Sequence, residues 1–217
     1  MVKSWARFWM RLSGVAGLGR IATRLAALFS PPFYGRVPLA RLHPRGYRSP
    51  RAVIHHAGLS LGRHCFVGEE VLIFQDRKGG GVTLGDGVHL HRRCVLQTGQ
   101  GGSITMGEHT HVQPGGQFSA YVGLIQIGAR VEIAPNCAFY PYNHGMKAGV
   151  AVRDQPLTSK GGIVIGDDAW LGYGVIVLDG ARIGRGAVVG AGSIVTGEIP
   201  DEAIAAGAPA RVLKTRQ

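Results

Sequence analysis

The stretch Ile165–Pro200, IGDDAW LGYGVI VLDGAR IGRGAV VGAGSI VTGEIP, divides into six groups of six residues. Each group opens with an aliphatic residue: Ile165, Leu171, Val177, Ile183, Val189 and Val195. The second residue is Gly in four of the six, and the fifth is small or β-branched in the first five: Ala169, Val175, Ala181, Ala187 and Ser193. Helices and flat strands repeat with their own shorter periods, so neither produces a period of six. A three-residue strand followed by a turn does. Its fifth and first positions point inward, its sixth points outward, and glycine eases the corner. Three such hexads close one triangular coil.

The same frame runs backwards. Hexads open at Leu61, Val67 and Ile73; at Leu84, Leu90 and Leu96; at Met106, Val112 and Phe118; and at Ile127, Ile133 and Phe139. An insertion follows each triplet: Gly79 to Thr83, Gly102 to Thr105, Leu124 to Gln126 and Gly145 to Val164. All four fall at one corner. A rhythm of three hexads that tolerates insertions only there is that of stacked coils, a solenoid in which each coil covers the next. The expectation is an all-β solenoid of about six coils, roughly 29 Å long at ~4.8 Å per coil. It divides into an N-terminal helical segment (1–50), the repeat (51–200, with an extended loop at 145–164) and a short C-terminal extension (201–217).

Composition agrees. The 217-residue chain carries 35 Gly, which could signal disorder, yet it is 45% hydrophobic, more than a solvated chain needs. Cys65, Cys94 and Cys137 all occupy the inward fifth position of their hexads and form no CxxC pair, so they read as reduced core residues. That usage points to a cytoplasmic chain.

Charge is concentrated at one end. Ten of the 24 Lys and Arg residues precede residue 52, and the first acidic residue is Glu69, so the net charge of +11 is almost wholly N-terminal. SWARFWMRL (Ser4–Leu12) sets Trp5, Phe8, Trp9 and Leu12 on one helical face with Arg7 and Arg11 opposite, and RIATRLAALF (Arg20–Phe29) forms a second amphipathic helix. Gly14, Gly17 and Gly19 separate the two, and SPPF ends the second. Arg20 and Arg24 interrupt any run near the ~18 apolar residues of a membrane span. Two readings stand side by side: residues 1–30 lie peripherally on the anionic inner face of a membrane, or they cap the first coil. The repeat offers no nucleic-acid reading motif, so no nucleic acid partner is expected.

The [LIV]-G-x-x-[STAV]-x pattern over residues 61–200 resembles the hexapeptide-repeat acyltransferases, and AIAAGAPARVLK (Ala203–Lys214) looks like that family's C-terminal segment. IAPN (Ile133–Asn136), NHG (Asn143–Gly145) and IVIGDDAWLG (Ile163–Gly172) are similar to the sugar O-acetyltransferase branch. The resemblance implies a left-handed parallel β-helix, a homotrimer, and transfer of an acetyl group from acetyl-CoA to a hydroxyl of a sugar or polysaccharide precursor.

His144 sits at an outward sixth position where the longest insertion begins. An alcohol is a poor nucleophile until its proton is removed, and imidazole suits that task near neutral pH. The resemblance places the family's catalytic histidine here. It implies donor contacts from Trp170, Tyr173, Ala191, Thr196, Gly197, Arg211 and Lys214, the last two suited to anionic phosphates. Tyr173 stands where a small residue is usual, and Gly197 where a lysine is frequent. The acceptor-positioning asparagine of related sugar enzymes is missing, with QPGGQ (Gln113–Gln117) around its place. Asn143, Gln117 and Glu132 are the acceptor candidates.

Two other classes remain open. The same fold carries gamma-class carbonic anhydrases, and His89 and His111 share an outward column with Glu132 and Trp170, although those enzymes' ligand spacing is not reproduced. No metal is expected on the transferase reading. A non-catalytic scaffold would keep the hexads but would not need a histidine followed by a long loop carrying Lys147, Arg153, Gln155, Pro156 and Lys160.

Overall fold

The computed structural model describes residues 2–14 and 17–217. The hexads form three parallel sheets, the faces of a triangular prism. Face 1 starts at Tyr47–Arg48, face 2 at Val53–His55 and face 3 at Leu59–Leu61, and each receives one strand per coil. Faces 2 and 3 each hold seven strands among the described residues, so the solenoid has seven coils, about 34 Å of stacking, where six were expected. The additional coil is the first, from Tyr47 to Leu61. As an end coil it has a neighbour on one side only, and Ile54, Leu59 and Leu61 within it are only partly buried. Before Leu61 it therefore carries little of the aliphatic rhythm that marks the others.

Inward positions stack in register. On face 1, Val67 pairs with Leu90, Leu90 with Val112, Val112 with Ile133, Ile133 with Leu171 and Leu171 with Val189. All are buried, and each such side chain contributes about 1.5–3 kcal/mol. On face 2 the rings of Phe118 and Phe139 stack at 4.5 Å and 5°. Cys65, Cys94 and Cys137 are free and buried in this interior, as expected. Burial pushes the thiols of Cys94 and Cys137 up to about 12 and about 11.

The glycine rule needs correction. Second-position glycines are dictated by coil stacking: a Cβ on Gly107 would lie 2.5 Å from the Ala129 nitrogen, and one on Gly128 2.6 Å from the Asp167 nitrogen. The turn itself is made two residues later. His64, Arg93, Arg130, Asn136 and Asp168, all at fourth positions, hold φ between 55° and 61°. At the corner entering face 1, third-position aspartates cap the coil before: Asp86 accepts from Arg63 N at 2.7 Å, Asp167 from Ala129 N at 2.8 Å and Asp201 from Arg185 N at 2.8 Å.

The N-terminal segment folds as α1 (Val2–Met10), α2 (Gly17–Ala26), a 3-10 turn (Phe33–Arg36) and α3 (Val37–Ala40). Gly17 and Gly19, expected between helices, lie inside α2. The backbone of Gly14 approaches so closely that a Cβ on Gly19 would meet it at 2.8 Å. The buried side of α1 is Ala6 and Met10, which pack with Ala26, Ala27, Leu39 and Ala40 onto the outward rings of Tyr47 and Phe66 in coils 1 and 2. The segment thus covers the flank of the first coils. Trp5, Phe8 and Leu12, which share one apolar helical face with Trp9, remain 38%, 56% and 54% exposed. Small residues allow close packing of backbone on sheet, and the bulky ones are displaced outward. None of the described helices is long and apolar enough to cross a membrane. At the far end, Ala203–Gly207 pairs with Val188–Val189, and Ala210–Thr215 folds back antiparallel on it, extending face 1.

Candidate functional site

The corner between faces 2 and 3 is where coil 5 breaks. Its face-2 strand ends at Tyr140 and its face-3 strand resumes at Ile163, so the chain makes a long excursion there. At the base of the excursion Asn143–His144 pairs antiparallel with Leu157–Thr158. This bridge fixes the backbone of His144 while its side chain stays exposed. The tip is organised by Gln155, which accepts from Lys147 N at 2.7 Å and donates to Lys147 O at 3.1 Å and Val150 O at 2.9 Å.

The loop's two ends are tied together by a residue that the sequence reading missed. Asp179, 5% exposed, projects from the same corner one coil on. Its carboxylate accepts from Lys160 N at 2.7 Å, Ser159 Oγ at 3.0 Å, Gly162 N at 3.2 Å and Asn143 Nδ2 at 3.3 Å. Asp179 precedes Gly180 and reads in sequence as an ordinary turn aspartate. Its partners lie far away along the chain, so no local signal marks it. Ser119, within 3.3 Å of both Tyr142 Oη and Gln97 Oε1, adds a polar cluster between face 2 and the loop that was equally invisible.

The candidate residues divide between separate parts of the chain. Asn143, His144, Thr196 and Gly197 lie at the loop corner, the latter two at its edge in coil 7; a Cβ on Gly197 would meet open space, so packing does not demand glycine there. Trp170 lies on face 1, in a row that continues through Val188 and Ile204 to Lys214, and Arg211 stands on the same edge strand. Tyr173 and Ala191 occupy the corner between faces 1 and 2 in successive coils, and Tyr173 Oη accepts from Asn136 Nδ2 at 2.8 Å. The acceptor candidates are not brought together: Gln117 is on face 2 and Glu132 on face 1.

Glu132 has another partner, accepting from His111 Nδ1 at 2.9 Å. The His89–His111 column exists, with the rings stacked at 4.3 Å and 7°. Burial, followed by the neighbouring His111, holds the pKa values of His89 and His91 down at about 4. Among the described residues no three His, Cys, Asp or Glu side chains converge to hold a metal ion.

Known proteins agree with this architecture. Residues 162–197 match the bacterial transferase hexapeptide model of six repeats, and residues 58–99 match the hexapeptide repeat of succinyl-transferase. The chain is 40% identical over 88 residues to the galactoside O-acetyltransferase of Lactococcus lactis, covering 41% of this chain and 42% of that protein. It is 37% identical over 94 residues to the galactoside O-acetyltransferase of Escherichia coli, covering 42% and 43% respectively. The chain thus spans under half the length of these relatives. The crystal structure of AntD, an N-acyltransferase from Bacillus cereus in complex with dTDP and 3-hydroxybutyryl-CoA, shares the fold with a TM-score of 0.58 at 19% identity, over 85% of this chain and 90% of that one. Residues 58–99 and 162–197 thus carry hexapeptide repeats like those of bacterial transferases, and the chain shares its fold with a solved N-acyltransferase.

Proposed function

We propose that the protein transfers an acetyl group from acetyl-CoA to a hydroxyl of a sugar or polysaccharide precursor, with His144 as the general base. The observation that carries this reading is an exposed histidine, held by a strand bridge at the long excursion of the solenoid, in a chain related to galactoside O-acetyltransferases. The imidazole takes the proton of the acceptor hydroxyl as its oxygen attacks the thioester carbonyl. The C–S bond then breaks, and the proton passes to the departing thiolate of coenzyme A. Arg211 and Lys214 serve the phosphates of the donor, and Trp170 and Tyr173 flank it.

The split between the loop corner and face 1 supports a homotrimer, in which the His144 corner of one copy meets the Trp170 face of the next. The outer side of the helical segment supports peripheral membrane contact. Phe8, Leu12, Leu18, Ile21, Leu28 and Phe29 are all more than half exposed, beside Arg7, Arg11 and Arg24. Full-length protein is expected to sediment with anionic liposomes and to release as salt is raised, since each basic residue near the surface contributes about 1 kcal/mol and is screened. Salt-insensitive behaviour would remove this part.

The reaction is tested with acetyl-CoA, a panel of galactosides and amino sugars, and detection of the freed thiol. Hydroxyl acceptors are expected to turn over, with the rate unchanged after exhaustive chelation. Acetylation of amines alone would overturn the hydroxyl assignment. Stoichiometric zinc, lost together with activity in His89→Ala or His111→Ala, would replace this reading by the carbonic anhydrase-like one.

A further inference from the structure

On face 2 the first-position side chains are buried, so the second-position side chains that follow them point outward. Coil stacking turns these into one file along the prism axis. Phe74 pairs with Gln97, Gln97 with Ser119 and Tyr140 with Leu178, and the register of Phe118 on Phe139 carries the file from Ser119 to Tyr140. All five are half-buried or exposed, and none is charged. Tyr140, 40% exposed, is the last residue of its strand before the excursion that bears His144.

Two more tyrosines flank the file at the loop corner. Tyr142 stands 6.4 Å from Tyr140 and 6.3 Å from Tyr121, at 66° and 54°, so neither neighbour stacks face to face on it. Tyr121 lies over Gly99, where a Cβ would meet its ring at 2.5 Å, so glycine at 99 makes the room which that ring occupies. Polar groups are interleaved with the rings: Tyr142 Oη lies 3.3 Å from Ser119 Oγ, which donates to Gln97 Oε1 at 3.3 Å. Among the described residues no hydrogen bond engages Gln97 Nε2 or the Tyr121 hydroxyl, and neither atom is closed to solvent. Rings at a surface beside free amide and hydroxyl groups combine an apolar plane with directional hydrogen bonding.

We infer that this file is the acceptor subsite and that the acceptor is an uncharged oligosaccharide lying along the prism axis. One sugar ring packs its C–H face on Tyr140 and Tyr142, and the next runs over Ser119 and Gln97. The inference rests on the assignment of His144 as the general base, which fixes the end of the file where the reacting hydroxyl sits. A pyranose has an apolar C–H face and a rim of hydroxyls, which matches rings interleaved with an amide and hydroxyls. The coils repeat at ~4.8 Å, close to the length of one sugar unit in a linear glycan, so Gln97 to Tyr140 spans about 10 Å, room for two units. A single sugar would leave Ser119 and Gln97 unused. A carboxylate or phosphate on the glycan would meet no Lys or Arg in the file and would lose hydration without compensation.

Calorimetric titration of the full-length protein with galactose, a linear galactotetraose and tetragalacturonate tests this without acetyl-CoA. The galactotetraose is expected to bind at least about tenfold more tightly than galactose, and more tightly than tetragalacturonate. Tyr140→Ala, at an exposed position, should weaken the galactotetraose about tenfold while leaving the melting temperature within a few degrees. Gln97→Ala should weaken the galactotetraose more than it weakens galactose. No galactotetraose binding up to about 10 mM would overturn the proposal. Equal affinity for galactose and the galactotetraose, preference for tetragalacturonate, or undiminished binding in both variants would also overturn it. Failure of the base assignment is read separately, in the turnover of His144→Ala, so the two failures are distinct.

Discussion

The corners bounding face 1 and the corner bearing His144 follow opposite rules. At the former, coils 2 to 7 turn in the same few residues, with a fourth-position residue at positive φ, and at the corner entering face 1 the next coil's backbone presses against a second-position glycine. At the latter, the four connections that lead to face 3 in coils 2 to 5 have different lengths, and the last is a loop with its own bridge and its own buried carboxylate. Register passes from coil to coil through the first kind of corner, so it cannot vary. The second kind carries no register, because strands on both sides are already held by coils above and below. Chemistry placed there can change without disturbing the stack.

The contrast is sharpest in glycine. Gly128→Val drives a side chain into the Asp167 backbone and is expected to cost about 3 kcal/mol or more, read by chemical denaturation. Replacing residues 147–154 by a short linker is expected to cost less than about 1 kcal/mol, because loop entropy varies slowly with length. A loop deletion that unfolds the protein would break the comparison. Phe118→Ala, which removes one ring of the internal stack, should likewise cost about 3–5 kcal/mol.

A pH effect of similar origin is expected from face 1. The folded chain holds His89 and His91 at about 4, and unfolding returns them to about 6.5. Between those values the unfolded chain binds protons that the folded chain refuses. Their contribution to stability is therefore complete above about pH 6.5 and is lost as pH falls toward 4. Thermal and denaturant midpoints should be lower at pH 5 than at pH 7, by about 2–4 kcal/mol in stability, and the double replacement His89→Asn with His91→Asn should flatten the dependence.

Asp179 tests the loop corner from inside. Asp179→Ala strands its four donors and should cost about 1–3 kcal/mol. Hydrogen-exchange protection should fall at 143–162 and stay unchanged at Leu171 and Val189. Loss of protection throughout the prism would show that the loop is not separable from the stack.

These differences explain what could be read in advance. Ile165, Leu171, Val177 and their equivalents announced the coil because an inward position has one requirement, an aliphatic side chain in register, and that requirement recurs every six residues. The first coil was hidden because Ile54 and Leu59, at the open end, are only half-required to be apolar. The position of His144 at the long excursion was legible because it stands where the rhythm stops. Asp179 and Ser119 were not, since their partners come from other coils and each occupies a position where a turn or surface residue would look the same. The helical segment was visible as amphipathic, but the residues that pack on the coils were not: Ala6 and Met10 are weaker hydrophobic signals than Trp5 and Phe8, yet they allow the closer approach.

The most direct measurement is turnover of His144→Ala with acetyl-CoA and a verified sugar acceptor, alongside its melting temperature. The residue is exposed, so stability should shift by less than about 0.5 kcal/mol. If it is the base, kcat should fall about 10²- to 10⁴-fold while acetyl-CoA affinity stays near wild type. A folded variant that keeps more than about a tenth of wild-type turnover would contradict the assignment of His144 as the general base.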